Sequence, residues 1–495
     1  MRLTPSSALV RESLASHSWI GLMVGALMYL VCLSGTLAVF YPEMERWEQP
    51  YAEEFSTFDP QAAEKAFNGF LASGAAITPH MFLVLPTPEV PRMRIATEDE
   101  SWFLDADGSI AQAERNGWTE MLLDLHLYLH LPSSWGMILV SALGAMLCAL
   151  IVSGLMAHPK IFKDAFNFRT RGSRLLEQAD LHNRLSVWGV PFHLMIAITG
   201  AYFGLALPIL AVFADANHDG DREAVIASVF GEEPDLDQEK GPLALGSALQ
   251  QMAILAPEAA PFLITAHDVG EPNQYFSISA THPGRMIYSE NYLFDASGNF
   301  LRTDAFSDGE PGRQVVYSIY RLHFGHFGGL AVKVIYLLLG LALTIVSVTG
   351  VNVWLARRRT RNHLNDLWVG IVWGTPVALV LSAFTQVVLG IPSTGVLWLT
   401  ILAAAMVSIR LHNEKRASRT LQAAFVVATG LLLVGYGVRF GSDAMTPAAL
   451  VANASLLATA LVFGAMARGR RDVVPTGAAM RRPEASASLT PDTRP

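Results

Sequence analysis

Seven of the fourteen histidines in this 495-residue chain stand beside or inside long apolar runs. An ionisable side chain there is costly, and its usual reason is chemical. Imidazole is a common axial ligand of haem iron, and two imidazoles complete a six-coordinate centre. The spacing suits that chemistry. His17 is followed 18 residues later by Gly35, in Leu33-Ser34-Gly35, and His182 is followed 18 residues later by Gly200, in Ile198-Thr199-Gly200. Trp19 and Gly21 follow the first histidine, and Trp188 and Gly189 follow the second. His130 precedes Gly154 by 24 residues and His326 precedes Gly350 by 24, in the words Val152-Ser153-Gly154 and Val348-Thr349-Gly350. Leu125-His126 and Leu322-His323 stand 28 and 27 residues before those glycines.

One pattern therefore occurs twice. Both copies enter the membrane from the same side, so an axis along the membrane normal relates them. That axis sets His17 opposite His182 near one face and the 126/130 pair opposite the 323/326 pair near the other. Two depths would hold two haem b groups, with His17, His182, His126 and His323 the favoured ligands. His130 and His326 are further candidates, each one turn along the same helix face as its neighbour. His193 lies 11 residues after His182, about 16 Å deeper along a helix. Its counterpart is Met28. A His–Met axial pair is chemically possible, and a core histidine bonded to a backbone carbonyl is the plainer reading. Arg184, Arg321 and Lys333 are candidate partners for haem propionates, or anchors that snorkel to the interface. His158, His363 and His412 fall among basic loop residues, and His80, His218, His267 and His282 in the polar segments, where an ordinary surface role is expected.

The elements that must position these residues are membrane helices. Apolar residues make up 52% of the chain and charged residues 16%, against about 25% charged in soluble domains. This excludes a disordered chain. The two cysteines, Cys32 and Cys148, lie in apolar runs; there is no disulfide scaffold to build, and no C-x-x-C-H word for covalent haem. Runs of ~20 apolar residues predict four long spans over 19–41, 136–157, 185–213 and 329–356, then four more over 367–391, 394–411, 420–440 and 447–467. The first run is longer than the ~7–15 residue core of a signal peptide and reads as an uncleaved anchor.

Orientation follows from short basic loops. With a cytoplasmic N-terminus, the inside segments hold 22 of the 35 basic residues, Arg357-Arg358-Arg359 and Arg470-Arg471 foremost, and segments 42–125 and 214–322 outside hold 33 of the 43 acidic ones. Each outside segment contains a helix (60–72, 243–256) and strand-like stretches, at 81–85 and 92–97 in the first and at 274–280 and 285–288 in the second. Each also has an Asp-x-x-Gly turn, Asp105–Gly108 or Asp295–Gly298. The expected organisation is 1–41 with the first span, domain 42–125, span 126–157, basic loop 158–184, span 185–213, domain 214–322, span 323–356, a four-helix region over 367–467 and a disordered tail over 468–495. The spans show no buried Asp or Glu, which argues against a proton-coupled pump.

These words resemble a known family. Ser16-His17-Ser18-Trp19-Ile20-Gly21-Leu22, Leu125-His126, Asp180-Leu181-His182-Asn183-Arg184 and Leu322-His323-Phe324-Gly325-His326-Phe327-Gly328-Gly329, followed by Val348-Thr349-Gly350 and Trp354, are similar to the PepSY-associated transmembrane-helix proteins over roughly residues 10–360. The resemblance implies α+β domains of the PepSY type in the periplasm, a bacterial inner-membrane location, and histidines 17, 126, 182 and 323 at the family's recurring positions. Members that reduce ferric siderophores through two haems imply the same for this chain, with the Fe(III) chelate as substrate. No G-x-G-x-x-G follows a strand, so a quinol or a separate cytoplasmic reductase must supply electrons. Membrane lipid is the other expected partner, and nucleic acid is not one. The competing readings are a non-redox binding or regulatory protein anchored by its helices, and a transporter for a metal or chelate.

Overall fold

The computed structural model describes residues 6–158, 160–164, 174–304, 311–358 and 360–469. Arg359, Arg470, Arg471 and the tail beyond them, read above as basic anchors and a disordered end, lie outside the described residues, as does 165–173 of the basic loop. The protein is mostly helical and has, among the described residues, eight helices long and apolar enough to cross a membrane. They are the eight expected, with different ends. In chain order the first repeat comprises α1 (Ser7–Ala38), α2 (Tyr41–Glu48), α3 (Pro60–Ala72), strands β1 (His80–Val84), β2 (Met93–Ala96), β3 (Ser101–Leu104) and β4 (Ile110–Ala113), α4 (Gly117–Tyr128) and α5 (Ser133–Ala157). A short α6 (Ile161–Asp164) leads to the second: α7 (Arg174–Asn217), α8 (Arg222–Phe230), α9 (Leu245–Leu255), β5 (Ala260–His267), β6 (Tyr275–Thr281), β7 (Glu290–Asp295), β8 (Phe300–Asp304), α10 (Pro311–Phe324) and α11 (Gly329–Arg357).

The first helix of each repeat starts about three turns before the apolar run does. Ser6 caps α1, its hydroxyl accepting from Leu9 N, and α7 takes in residues 174–184, expected as loop. His17 and His182 are thus helical. Both repeats also break just before their second span. Leu129 and His130 adopt left-handed backbone (φ 54° and 57°), and Gly325 does so at φ 71°. His126 and His323 therefore sit on separate short helices, α4 and α10, and His130 and His326 lie in the following turns rather than one turn along the same helix.

The two outside segments form one domain, not two. Their strands join in a single antiparallel sheet ordered β4-β3-β2-β1-β5-β6-β7-β8. At its centre β1 pairs with β5, Phe82 opposite Thr265, and His80 opposite His267. The alternating apolar face of both halves (Met81, Leu83, Ile95, Ile264, Phe276, Phe294) packs under α3 and α9 in one shared core with Phe67, Phe70, Leu249 and Met252. Burial of each such side chain contributes about 1.5–3 kcal/mol, and neither half has a closed core alone. Residues 285–288, expected as strand, are irregular, with a bend at 287–288 between the turn at 283–284 and β7. The two Asp-x-x-Gly words close equivalent hairpins: Gly108 N donates to Asp105 O (2.9 Å) and Gly298 N to Asp295 O (3.0 Å), at φ 81° and 79°, which glycine adopts without Cβ strain.

Below the sheet, α1 packs on α5 and α11, and α7 on α11 and α5, closing a four-helix ring. The remaining helices are α12 (His363–Ala383, continued by a π-helical turn to Val388), α13 (Ser393–Leu411), α14 (Glu414–Phe440) and α15 (Pro447–Arg468). This second bundle leans on α1, α2 and α4. Tyr29 donates to Val372 O (2.8 Å), Trp118 Nε1 to Leu379 O (3.1 Å) and Trp47 Nε1 to Asn453 Oδ1 (3.0 Å).

Candidate functional site: two cross-repeat histidine pairs

Each of the four favoured histidines meets a glycine of a neighbouring helix. A Cβ at Gly154 would lie 3.1 Å from the His17 ring, one at Gly350 3.2 Å from His182, one at Gly200 3.2 Å from His323, and one at Gly35 2.7 Å from His126 Nδ1 and closer still to Cε1. These are the glycines of the repeated Ser/Thr-Gly words. The words pair crosswise within each repeat: the α1 histidine rests on the α5 glycine and the α4 histidine on the α1 glycine, and α7, α10 and α11 repeat the arrangement.

The same words orient the rings. His17 Nδ1 lies 3.0 Å from Leu150 O and 3.4 Å from Ser153 Oγ. His126 Nδ1 lies 3.0 Å from Val31 O. His182 Nδ1 lies 3.1 Å from Val346 O and 3.3 Å from Thr349 Oγ1. In all three the carbonyl belongs to the residue four before the glycine. At His323 the Thr199 hydroxyl takes that place, 2.8 Å from Nδ1. A ring whose Nδ1–H is so engaged keeps its Nε2 lone pair for a metal, the usual arrangement behind a ligating histidine.

Between the two repeats the rings come together in two pairs. His17 and His182 have centroids 6.1 Å apart with planes at 79°, and His126 and His323 have centroids 6.2 Å apart with planes at 28°. Two imidazoles on opposite sides of one metal, with bonds of about 2 Å, place their centroids roughly 6 Å apart. The pairs thus fit a bis-histidine haem. His17 and Gly35 are 18 residues apart on α1, so the two sites lie roughly 27 Å apart along that helix, one at the sheet end of the ring and one at the other.

The other candidates are placed differently. His130 has both ring nitrogens committed: Nε2 donates to Met121 O (2.8 Å) and Nδ1 accepts from Trp398 Nε1 (2.9 Å). It ties α4 to α13 and has no lone pair left for iron. Among the described residues, His326 Nε2 is buried without a hydrogen-bond partner, and the ring stands among Tyr41, Tyr320 and Phe324 with no second imidazole in contact. His193 is buried, with Nε2 3.4 Å from Leu339 O, and Met28 lies in the apolar core. Lys333 is spent on Glu43 (2.5 Å). Arg321 Nε donates to His326 O (2.8 Å) and Nη1 to Ile287 O (3.3 Å) and Arg285 O (2.6 Å). Arg184 is half-buried, half a turn beyond His182 on α7.

Residues that sequence reasoning passed over set these positions. Glu48 caps α4, its two oxygens accepting from Trp118 N (2.9 Å) and Thr119 N (2.7 Å). Burial lifts its carboxyl to about 7 against those two bonds. The serine and threonine before the glycines were visible as words, and only their register was used. Asp366, buried in the first turn of α12, contradicts the expectation of spans without a buried carboxylate; the helix begins four residues before the apolar run expected there.

A family model for the PepSY-associated TM region matches residues 14–357, the two repeats without the second bundle. An uncharacterized protein of Pseudomonas aeruginosa is 25% identical over 259 residues, covering 48% of this chain and 64% of that protein. The match thus spans under two thirds of the relative's length. Four glycine–histidine contacts repeated in register over the same residues that the model matches agree with it, and the chain belongs to the PepSY-associated transmembrane family.

Proposed function

We propose that this protein is an electron conduit holding two haem b groups, one per histidine pair, and that it reduces a ferric chelate of the siderophore class on the side of the sheet domain. The carrying observation is the pair geometry: two cross-repeat imidazole pairs, centroids 6.1 and 6.2 Å apart, every Nδ1 engaged. Positive-inside counting supports an inner-membrane setting with both termini cytoplasmic and the sheet in the periplasm.

When bound, haem supplies one-electron exchange without a change of ligands. The chain does the rest. Val31, Leu150, Val346 and Thr199 hold each Nδ1 proton and so fix the tautomer that leaves Nε2 to the metal. Gly35, Gly154, Gly200 and Gly350 let each ring seat against a neighbouring backbone. Arg184, half-buried and half a turn beyond His182 on α7, is the propionate partner we favour at the pair distant from the sheet. One electron reaching the chelate converts Fe(III) to Fe(II), a softer ion with less affinity for oxygen donors, and the donor is a quinol or a separate reductase. Dithionite-reduced protein in detergent should lose its sharpened α band when a ferric siderophore is added, and His323→Ala should slow that loss at least tenfold. A reduced spectrum that persists in the presence of several ferric chelates contradicts the reading.

A further inference from the structure

Where α12 begins and α13 ends, three potential ligands converge outside the histidine pairs. His363 and Asp366 are three residues apart in the first turn of α12 and so share a face. His412, the residue after α13, brings a second imidazole to them. The coordinating atoms of all three lie within 4.8 Å of one another. We propose that His363, Asp366 and His412 bind a divalent transition-metal ion at this end of the second bundle.

Asp366 is only 1% exposed, and a carboxylate there must be engaged from several sides. Arg361 binds its Oδ1, and His412 Nδ1 lies 2.7 Å from Oδ2. Arg361 also donates to His412 O (2.7 Å), so one guanidinium fixes both partners. His412 holds left-handed backbone at φ 44°, unusual for a residue with a side chain and a conformation found at functional sites. His363 completes the group: its ring is exposed, 5.9 Å from the His412 ring, and makes no hydrogen bond among the described residues. A capping box holds its backbone, Asn362 Oδ1 accepting from Leu364 N (3.2 Å) and Asn365 Oδ1 from Asn362 N (3.1 Å).

The donor set selects the ion. Two imidazoles and one carboxylate suit Zn(II) or Fe(II), with positions left for water. Ca(II) and Mg(II) take oxygen ligands and are disfavoured. Ligands on a four-coordinate ion stand roughly 3.3 Å apart, so the exposed His363 ring must swing in by about an ångström or two, and the 2.7 Å contact of His412 Nδ1 with Asp366 Oδ2 must open and give up its proton. The metal would pin the start of α12, six residues after the end of α11, to the end of α13.

Chelator-treated full-length protein in detergent, titrated with Co(II) and then Zn(II) and read as a difference spectrum against the same protein before metal addition, tests this with the histidine pairs unaltered. Wild type should bind one Co(II) per chain through these residues, with visible ligand-field bands that Zn(II) removes. His363→Ala, which deletes an exposed ring without a hydrogen bond, should weaken binding roughly tenfold or more, and the His363→Ala/His412→Ala double variant should abolish the bands. Failure of wild type to bind either ion, or bands unchanged in the double variant, overturns the proposal. Elution of His363→Ala at the wild-type volume in gel filtration separates loss of a ligand from loss of fold.

Discussion

The two repeats share one packing grammar and differ in what surrounds it. In the first, the second bundle covers α1, α2 and α4. Trp118, Met121, Leu122 and Leu125 of α4 are buried, Trp398 holds His130, and Glu48 caps the helix. In the second, α10 buries none of its residues. It is held instead by Arg321, which reaches carbonyls of the outer domain, and by Tyr336, whose hydroxyl donates to Leu322 O. The histidine–glycine contacts nevertheless match. After duplication, then, the contact that sets a ring against a backbone stayed the same while its supports diverged. That is the pattern expected where the ring position carries the function and the supports only hold it.

The comparison can be broken most severely at the glycines. Gly35→Ala places a methyl inside the His126 ring, whereas Gly350→Ala approaches the His182 ring at 3.2 Å. Haem content after purification should fall by about half in the first variant and by much less in the second. Equal losses would mean that close approach does not position the rings.

The next largest difference concerns the supports. Glu48→Ala leaves two amide N–H groups at the start of α4 without acceptors and should cost about 2 kcal/mol, read as a lower thermal midpoint and weaker retention of the haem at the sheet end. The haem at the other end should stay. His130→Gln removes two bonds and should cost about 1–2 kcal/mol, whereas the equivalent His326→Gln, with no Nε2 bond to lose, should cost less than half as much. Similar midpoints for the two would erase the asymmetry between repeats.

The smallest effect is expected at the seam of the sheet, where the halves are most alike. His267 stacks on Tyr275 with centroids 4.4 Å apart and faces His80 at 5.1 Å. Burial above all, then the His80 ring, holds its imidazole down to about 4, with Asp268 opposing. An unfolded histidine titrates near 6.5. Between these values the unfolded chain binds more protons, so this stability is complete above about 6.5 and is lost as the pH falls towards 4. The domain's midpoint should drop by roughly a few degrees over that window, and His267→Gln should flatten the slope.

The spans, the duplication and the four histidines were legible because membrane helices satisfy their own backbone and advertise themselves by composition. The helix starts were not: in first turns such as Ser7–Ser16, Arg11, Glu12 and three serines interrupt Leu9, Val10 and Leu14, so no continuous apolar run marks them. His130 and His326 looked helical because a left-handed break at Leu129 or Gly325 leaves no mark stronger than one glycine. Fusion of two domains into one sheet was hidden because pairing of β1 with β5 joins segments some 180 residues apart, and no local pattern reports such a partner. Asp366 escaped notice because it precedes the apolar run, and His412 meets it only through the α12–α13 contact.

The most direct test of the account is a pyridine haemochrome count on purified full-length protein and on His17→Ala/His182→Ala and His126→Ala/His323→Ala double variants. The account predicts two b-type haems per chain in the wild type and one in each double variant. A wild-type protein free of haem after expression with ample haem supply, or one whose haem content survives both pairs of substitutions, would contradict it.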